Sequence, residues 1–275
     1  MRDFEVLLNQ SLPIGVDSDY SSELRIRLTA ASLSFHMGNK SVDHFRKHYL
    51  ADLDYPVSSR NRLDKRIASS LKDGLRKLDS SLNDLEPSDP KLGQMVSKWT
   101  FMRIPFSFDL ALTCAQRGAL FECLAIARMM LEQAAWALEI RCWDDFNAIT
   151  TRQAQQSLRA LKSIHPAAGG FYGWLSAHAH WTYDAHIKAF NQSPGKIGMR
   201  LANPLYKGQA LGALIVLFAI VHAAYHCLFE TLGRTDAAPV LEVDKISSFV
   251  HELEKLAPED GDIRRLKNML TPRES

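Results

Sequence analysis

From Leu110 to Ile140 the chain reads as one long apolar helix, yet it carries five formal charges: Arg117, Glu122, Arg128, Glu132 and Glu139. At about 100° of turn per residue, Arg117, Arg128, Glu132 and Glu139 fall within a wedge of roughly 60°. A charge leaves water at great cost unless it is paired or put to use. That wedge must therefore face solvent or meet polar groups of neighbouring helices. Later segments offer such groups: Ser176, His180 and Asp184 on one, and His222, His226 and Glu230 on another.

The remaining composition narrows the class. With 275 residues, 46% of them hydrophobic and 23% charged, the chain can build a sizeable core. A net charge of +2 is too balanced to require nucleic acid or an anionic lipid surface as partner. Cys114, Cys123, Cys142 and Cys227 form no CxxC pair and sit in apolar stretches, so they read as buried thiols of a reducing compartment. The first residues, MRDFEVLLNQ, carry early acids and no long apolar core, which argues against a secretory signal and for a cytoplasmic location. Leu211 to Val221 is wholly apolar, but His222 and His226 interrupt its continuation. A buried core helix is expected there, not a membrane span.

Along the chain the signals are helical. Residues 1–20, with Pro13 and Gly15, look irregular. Helices are expected from Ser21–Ser22–Glu23 and from Ser41. Leu63, Ile67, Leu71, Leu75, Leu78, Leu82 and Leu85 then repeat at spacings of four and three, opposite a basic face of Arg60, Arg62, Lys65, Arg66, Lys72, Arg76 and Lys77. That face is either solvated or a surface for phosphates or a partner helix. Lys91 to Arg103 reads as a short helix stopped near Pro105. The long apolar helix follows, then a polar helix from Asp144–Asp145 to Pro166 and another from Gly169–Gly170. Pro194, Gly195 and Gly198 mark a loop, an apolar helix runs from Pro204 to Leu232, and Ile246, Phe249, Val250 and Leu253 stripe a late amphipathic helix. No strand alternation stands out. The expectation is an all-α multi-helix bundle with a central apolar helix pair. A smaller N-terminal helical part at 1–90 would precede a main bundle at 91–275, or both would form one continuous domain.

Four constellations bear on chemistry. Arg128 and Glu132 stand at i, i+4, either neutralising each other at a helix seam or forming an anion-binding arginine held by its glutamate. Ser176, His180 and Asp184 line one helix face. Side chains of one helix lean the same way and do not converge as a triad does, so His180 is expected as a general acid or base instead. His222 and His226 allow a metal on one helix face, against the plainer reading of hydrogen-bonded core histidines. Arg159 to His165 fits the loose Arg-x(4–6)-His spacing of HEPN ribonucleases, but it ends at Pro166 and not at a helix start.

ARMMLEQAAW at 127–136 and YGWLSAHAH at 172–180 together resemble a broad group of uncharacterised bacterial all-helical proteins carrying Arg-x3-Glu and Leu-Ser-x3-His motifs. Carried over residue by residue, the resemblance implies a shared site at Arg128, Glu132, Ser176 and His180. Some members are similar to helical proteins of defence and toxin systems, including distantly HEPN-like ones. Two functions follow as expectations. One is a partner-binding or self-associating module, with the polar cluster fixing helix register. The other is a phosphodiester-acting enzyme, with Arg128 holding the anion, Glu132 orienting it and His180 moving the proton. A protein partner or a second copy is expected, with RNA left open, no cofactor and no membrane. Any metal would use His222 and His226. The helix at 60–85 is the expected interface.

Overall fold

The structure, a computed structural model, describes residues 4–9, 12–17, 22–36, 38, 41–49, 59–85, 89–179, 190–193, 196–199 and 206–270. It is an all-α multi-helix bundle with two small β-hairpins, and it divides into two compact units, Met1–Arg62 and Leu63–Ser275.

The first unit holds β1 (Phe4–Asn9), β2 (Leu12–Asp17), α1 (Ser22–His36) and α2 (Val42–Tyr49). The two strands pair antiparallel from Phe4↔Asp17 to Asn9↔Leu12, where the sequence suggested irregular chain. Pro13 and Gly15 misled because they read as punctuation. In a two-stranded hairpin both strands are edges, and an edge tolerates proline. Ser41 accepts from the His44 backbone N–H at 3.2 Å and starts α2 as expected. Ala30 of α1 and Phe45 of α2 are buried together.

The second unit takes in most of α3 (Ser59–Asn83), so the division falls at 62/63 and not near 90. The reason is the leucine stripe. Leu63, Ile67, Leu71, Leu75, Leu78, Leu82 and Leu85 are all buried in the main core, and Gly74 sits directly against the Phe218 ring. Of the helix expected as an interface, the apolar face is therefore consumed within the chain. Part of the basic face is matched too: Arg66 pairs with Glu252 at 3.2 Å, Lys72 with Asp109 at 2.7 Å and Arg76 with Asp73 at 3.3 Å.

Next come α4 (Leu92–Arg117) and α5 (Leu120–Ile140), which correct two expectations. The first helix does not stop at Pro105 but runs through it. Proline lacks the N–H that would bond the Phe101 carbonyl one turn back. The buried Tyr225 hydroxyl takes that place, donating to Phe101 O at 2.7 Å. The expected continuous helix across 110–140 instead breaks at Gly118, which has φ 74° in the left-handed region. Gly118 N–H donates to Ala115 O at 3.0 Å and Ala119 N–H to Cys114 O at 2.9 Å, ending α4 in a glycine cap. The result is an αα-hairpin. Its open end closes where Ser97 Oγ donates to Ala137 O at 2.6 Å and Gly93 N–H to Trp143 O at 2.9 Å.

Asp145 caps α6 (Phe146–Thr151), accepting from Asn147 and Ala148 N–H at 2.8 and 3.1 Å. A short 3-10 turn at Ala154–Ser157, α7 (Leu158–Ile164) and α8 (Ala167–Ala179) follow. Antiparallel β3 (Phe190–Ser193) and β4 (Lys196–Met199) stand where Pro194, Gly195 and Gly198 suggested only a loop. Then α9 (Lys207–Thr231) runs through the core, and α10 (Val243–Leu256) and α11 (Gly261–Leu270) pack on it. By length and composition α9 would suit a membrane crossing, but 78% of its most apolar window is buried among the chain's own residues. Asp260 ties its start to α11. The carboxylate accepts from Gln209 Nε2 at 2.9 Å and from the Asp262 and Ile263 N–H groups at 3.0 and 3.1 Å.

Cys123 is buried, Cys114 and Cys227 are half-buried, and Cys142 is exposed in the turn after α5, against the expectation of four buried thiols. Burial raises the pKa values of Cys114, Cys123 and Cys227, holding those three as thiols.

Candidate functional site

The break at Gly118 dismantles the expected wedge of four charges, because Arg117 belongs to α4 and the other three to α5. Those three find partners. Arg128 Nε donates to Glu132 Oε1 at 3.1 Å, and a second guanidinium nitrogen donates to the Tyr172 hydroxyl at 3.2 Å. The same hydroxyl donates to Glu132 Oε1 at 3.0 Å. The guanidinium carbon lies 5.3 Å from the Tyr172 ring centroid, within reach of a cation–π contact. Further along α5, Trp136 Nε1–H donates to the Arg152 carbonyl at 3.0 Å, and Glu139 accepts from Arg152 at 2.9 Å.

Arg128 and Glu132 keep 18% and 21% of their side-chain exposure, so their attraction is only partly screened by water. Burial works against the guanidinium charge. The hydrogen bonds to Tyr172 and Glu132 outweigh it, and the pKa ends above the usual arginine value. The phenol is the link between elements: it brings one α8 hydroxyl to both members of the α5 ion pair. In the sequence Tyr172 stands only as the first residue of the YGWLSAHAH motif.

Ser176 stands one turn beyond Tyr172 on α8, as its spacing predicts. Its Oγ and the Oε1 of Gln133 on α5 are shielded from water and have no hydrogen-bond partner among the described residues. His180 and Asp184 lie outside the described residues. Of the expected site, the structure thus joins Arg128 with Glu132 and places Ser176 on the helix that supplies their third partner.

His222 and His226 on α9 form a pair of their own, Nε2 to Nε2 at 3.1 Å, with His222 against the Phe218 ring. One ring must donate and the other accept, as expected of hydrogen-bonded core histidines. Among the described residues no group of three His, Cys, Asp or Glu side chains is placed to hold a metal ion. Burial, then the neighbouring His226, lowers the His222 pKa from 6.5 to about 4. The unfolded chain binds that proton at 6.5, so this contribution is full above pH 6.5 and is lost as the pH falls towards 4. His222→Leu is expected to flatten the acid side of a plot of melting temperature against pH. An unchanged slope would assign the loss to another group.

A second histidine constellation escaped the sequence reading. His178 Nδ1–H donates to the Trp174 carbonyl at 2.9 Å, and its Nε2 faces Asp262 Oδ2 at 3.6 Å. Asp262 Oδ1 accepts from the buried Trp174 indole at 3.0 Å, fastening α8 to α11. Only chain pairing across 88 residues makes this contact, so no local spacing signals it. Among the described residues no contact joins Arg159 to His165. Arg159 is exposed on α7, while His165 ends that helix and its Nδ1 accepts from Ala167 N–H at 3.3 Å.

A cavity of about 300 Å³ lies away from the Arg128 cluster, lined by Leu85, Pro90, Gln94, Met95, Lys98, Trp99 and Leu232. Its cation, Lys98, donates to the Leu85 carbonyl. In comparisons with protein families, with curated proteins and with solved structures, nothing matches this chain.

Proposed function

We propose that this chain is a non-catalytic interaction module, of a regulatory or defence type. In this reading the Arg128–Glu132–Tyr172 cluster fixes the register of α5 against α8, and the outer surface does the binding. The observation that carries it is a row of large apolar side chains left in water on α4: Trp99 at 57%, Phe106 at 78% and Leu110 at 50% exposure. Clustered exposed apolar residues mark protein contact sites more often than chance. The cluster itself supports a structural role, since the guanidinium already holds a carboxylate and a phenol of its own chain. The resemblance to bacterial helical proteins with the same two motifs is in keeping with it.

One observation favours a second reading. The shielded Ser176 Oγ and Gln133 Oε1 have hydrogen-bonding capacity to spare near the Arg128 cluster's two helices. A phosphodiester-acting site there would use Arg128 to hold the anion, Glu132 to orient it and His180 to move the proton. Purified chain incubated with end-labelled RNA, with and without EDTA, beside an Arg128→Ala variant separates the two. The module reading predicts intact RNA in every lane. Cleavage by the wild type that Arg128→Ala abolishes would overturn it.

A further inference from the structure

We infer that α4 pairs antiparallel with α4 of a second copy of this chain, about a two-fold axis passing between Ile104 and Pro105. The inference rests on the module reading and names its partner. On α4, Trp99, Arg103, Phe106, Leu110, Thr113 and Arg117 follow one another at spacings of four and three. That is the a/d pattern of a helix seam, over a length of about 27 Å. The opposite face of α4 already belongs to the core, with Phe101, Ile104, Phe108, Ala111, Leu112 and Ala115 fully buried. An outer helix face that only meets water has no use for tryptophan, phenylalanine and leucine in one line. Other exposed apolar residues of this unit, such as Phe146 and Val240, lie outside α4.

The stripe is self-complementary, as a two-fold interface requires. Antiparallel pairing about that axis sets Trp99 against Leu110 of the second copy, and Arg103 against its Phe106. Each contact occurs twice. Arg103 is exposed and makes no ion pair among the described residues, so its guanidinium is available to lie over that ring. Asp109 of the second copy falls within a turn of Arg103 in the same arrangement. Asp109 holds Lys72 at 2.7 Å, yet its side chain keeps 60% exposure and can accept from a second cation. The second copy offers Arg103 at mid-stripe both a ring and a carboxylate within reach, a pairing fixed in register that a lipid surface does not supply.

Sedimentation velocity on the full chain, from about 1 to about 100 µM, tests the pairing. The wild type is expected to pass from monomer to dimer over that range. Phe106→Asp and Arg103→Glu should each weaken the dimer by about tenfold or more. Val240→Asp, at a position 96% exposed in the loop before α10, should leave it unchanged. Circular dichroism of each variant confirms that it is folded. A wild type that stays monomeric, or a dimer indifferent to Phe106→Asp, would overturn the pairing. Neither result touches the module reading, which fails instead on RNA cleavage lost in Arg128→Ala.

Discussion

Gly93→Ala is expected to destabilise the second unit more than any other single methyl added to the described glycines. A β-carbon at Gly93 would lie 2.0 Å from the Ile140 carbonyl oxygen and 2.6 Å from that of Trp143. Both obstacles are backbone at the end of α5, so neither can swing aside as a side chain would. The same glycine donates its N–H to Trp143 O at 2.9 Å, and any shift that relieves the clash strains this bond. Overpacking without room to relax costs about 3 kcal/mol or more. For a chain of this size that lowers the melting temperature by about 10 °C. Gly173→Ala is the control. It lies mid-helix in α8 with nothing near its would-be β-carbon, and should be neutral or slightly stabilising. Differential scanning calorimetry of both variants checks the contrast, and similar melting temperatures would refute the close approach of α4 to α5.

Glu132→Ala is expected to have the second large effect. It strips the half-buried guanidinium of its carboxylate and removes the acceptor of the Tyr172 hydroxyl. Losing one partner of a partly buried, hydrogen-bonded pair costs about 2 kcal/mol. Replacing both charges, as Arg128→Met with Glu132→Leu, should recover most of that loss, because no unpaired charge remains. Chemical denaturation of the three proteins measures it. A double variant no better than Glu132→Ala would mean that the pair contributes more than mutual neutralisation.

Much of the bundle was legible because helices advertise themselves through period. The leucines of α3 and the stripe of α10 gave both element and buried face, and the apolar run of α9 gave a core helix. Punctuation was less reliable. Pro105 looked like a helix stop, because the residue that satisfies the freed Phe101 carbonyl is Tyr225, 124 positions away. Gly118 looked harmless inside an apolar run, although it supplies the one left-handed residue the α4–α5 turn needs. These two errors had a consequence for function. With α4 cut at Pro105, Trp99 and Phe106 fell on different elements, and the exposed stripe was invisible.

The site was legible in part for the same physical reason. Arg128 and Glu132 stand four apart on one helix, so local spacing alone predicts their contact. Tyr172 joins them only through the packing of α8 on α5, which no spacing encodes. Among the described residues no hydrogen bond joins Arg128 or Glu132 to His222 or His226. The two imidazoles bond each other on α9.

A double-mutant cycle between Glu132→Ala and Tyr172→Phe tests most directly whether this cluster fixes α5 against α8. The two groups sit on different helices and share a hydrogen bond of 3.0 Å. A structural lock predicts a coupling energy of about 1 kcal/mol in equilibrium unfolding. Strict additivity of the two substitutions would contradict it.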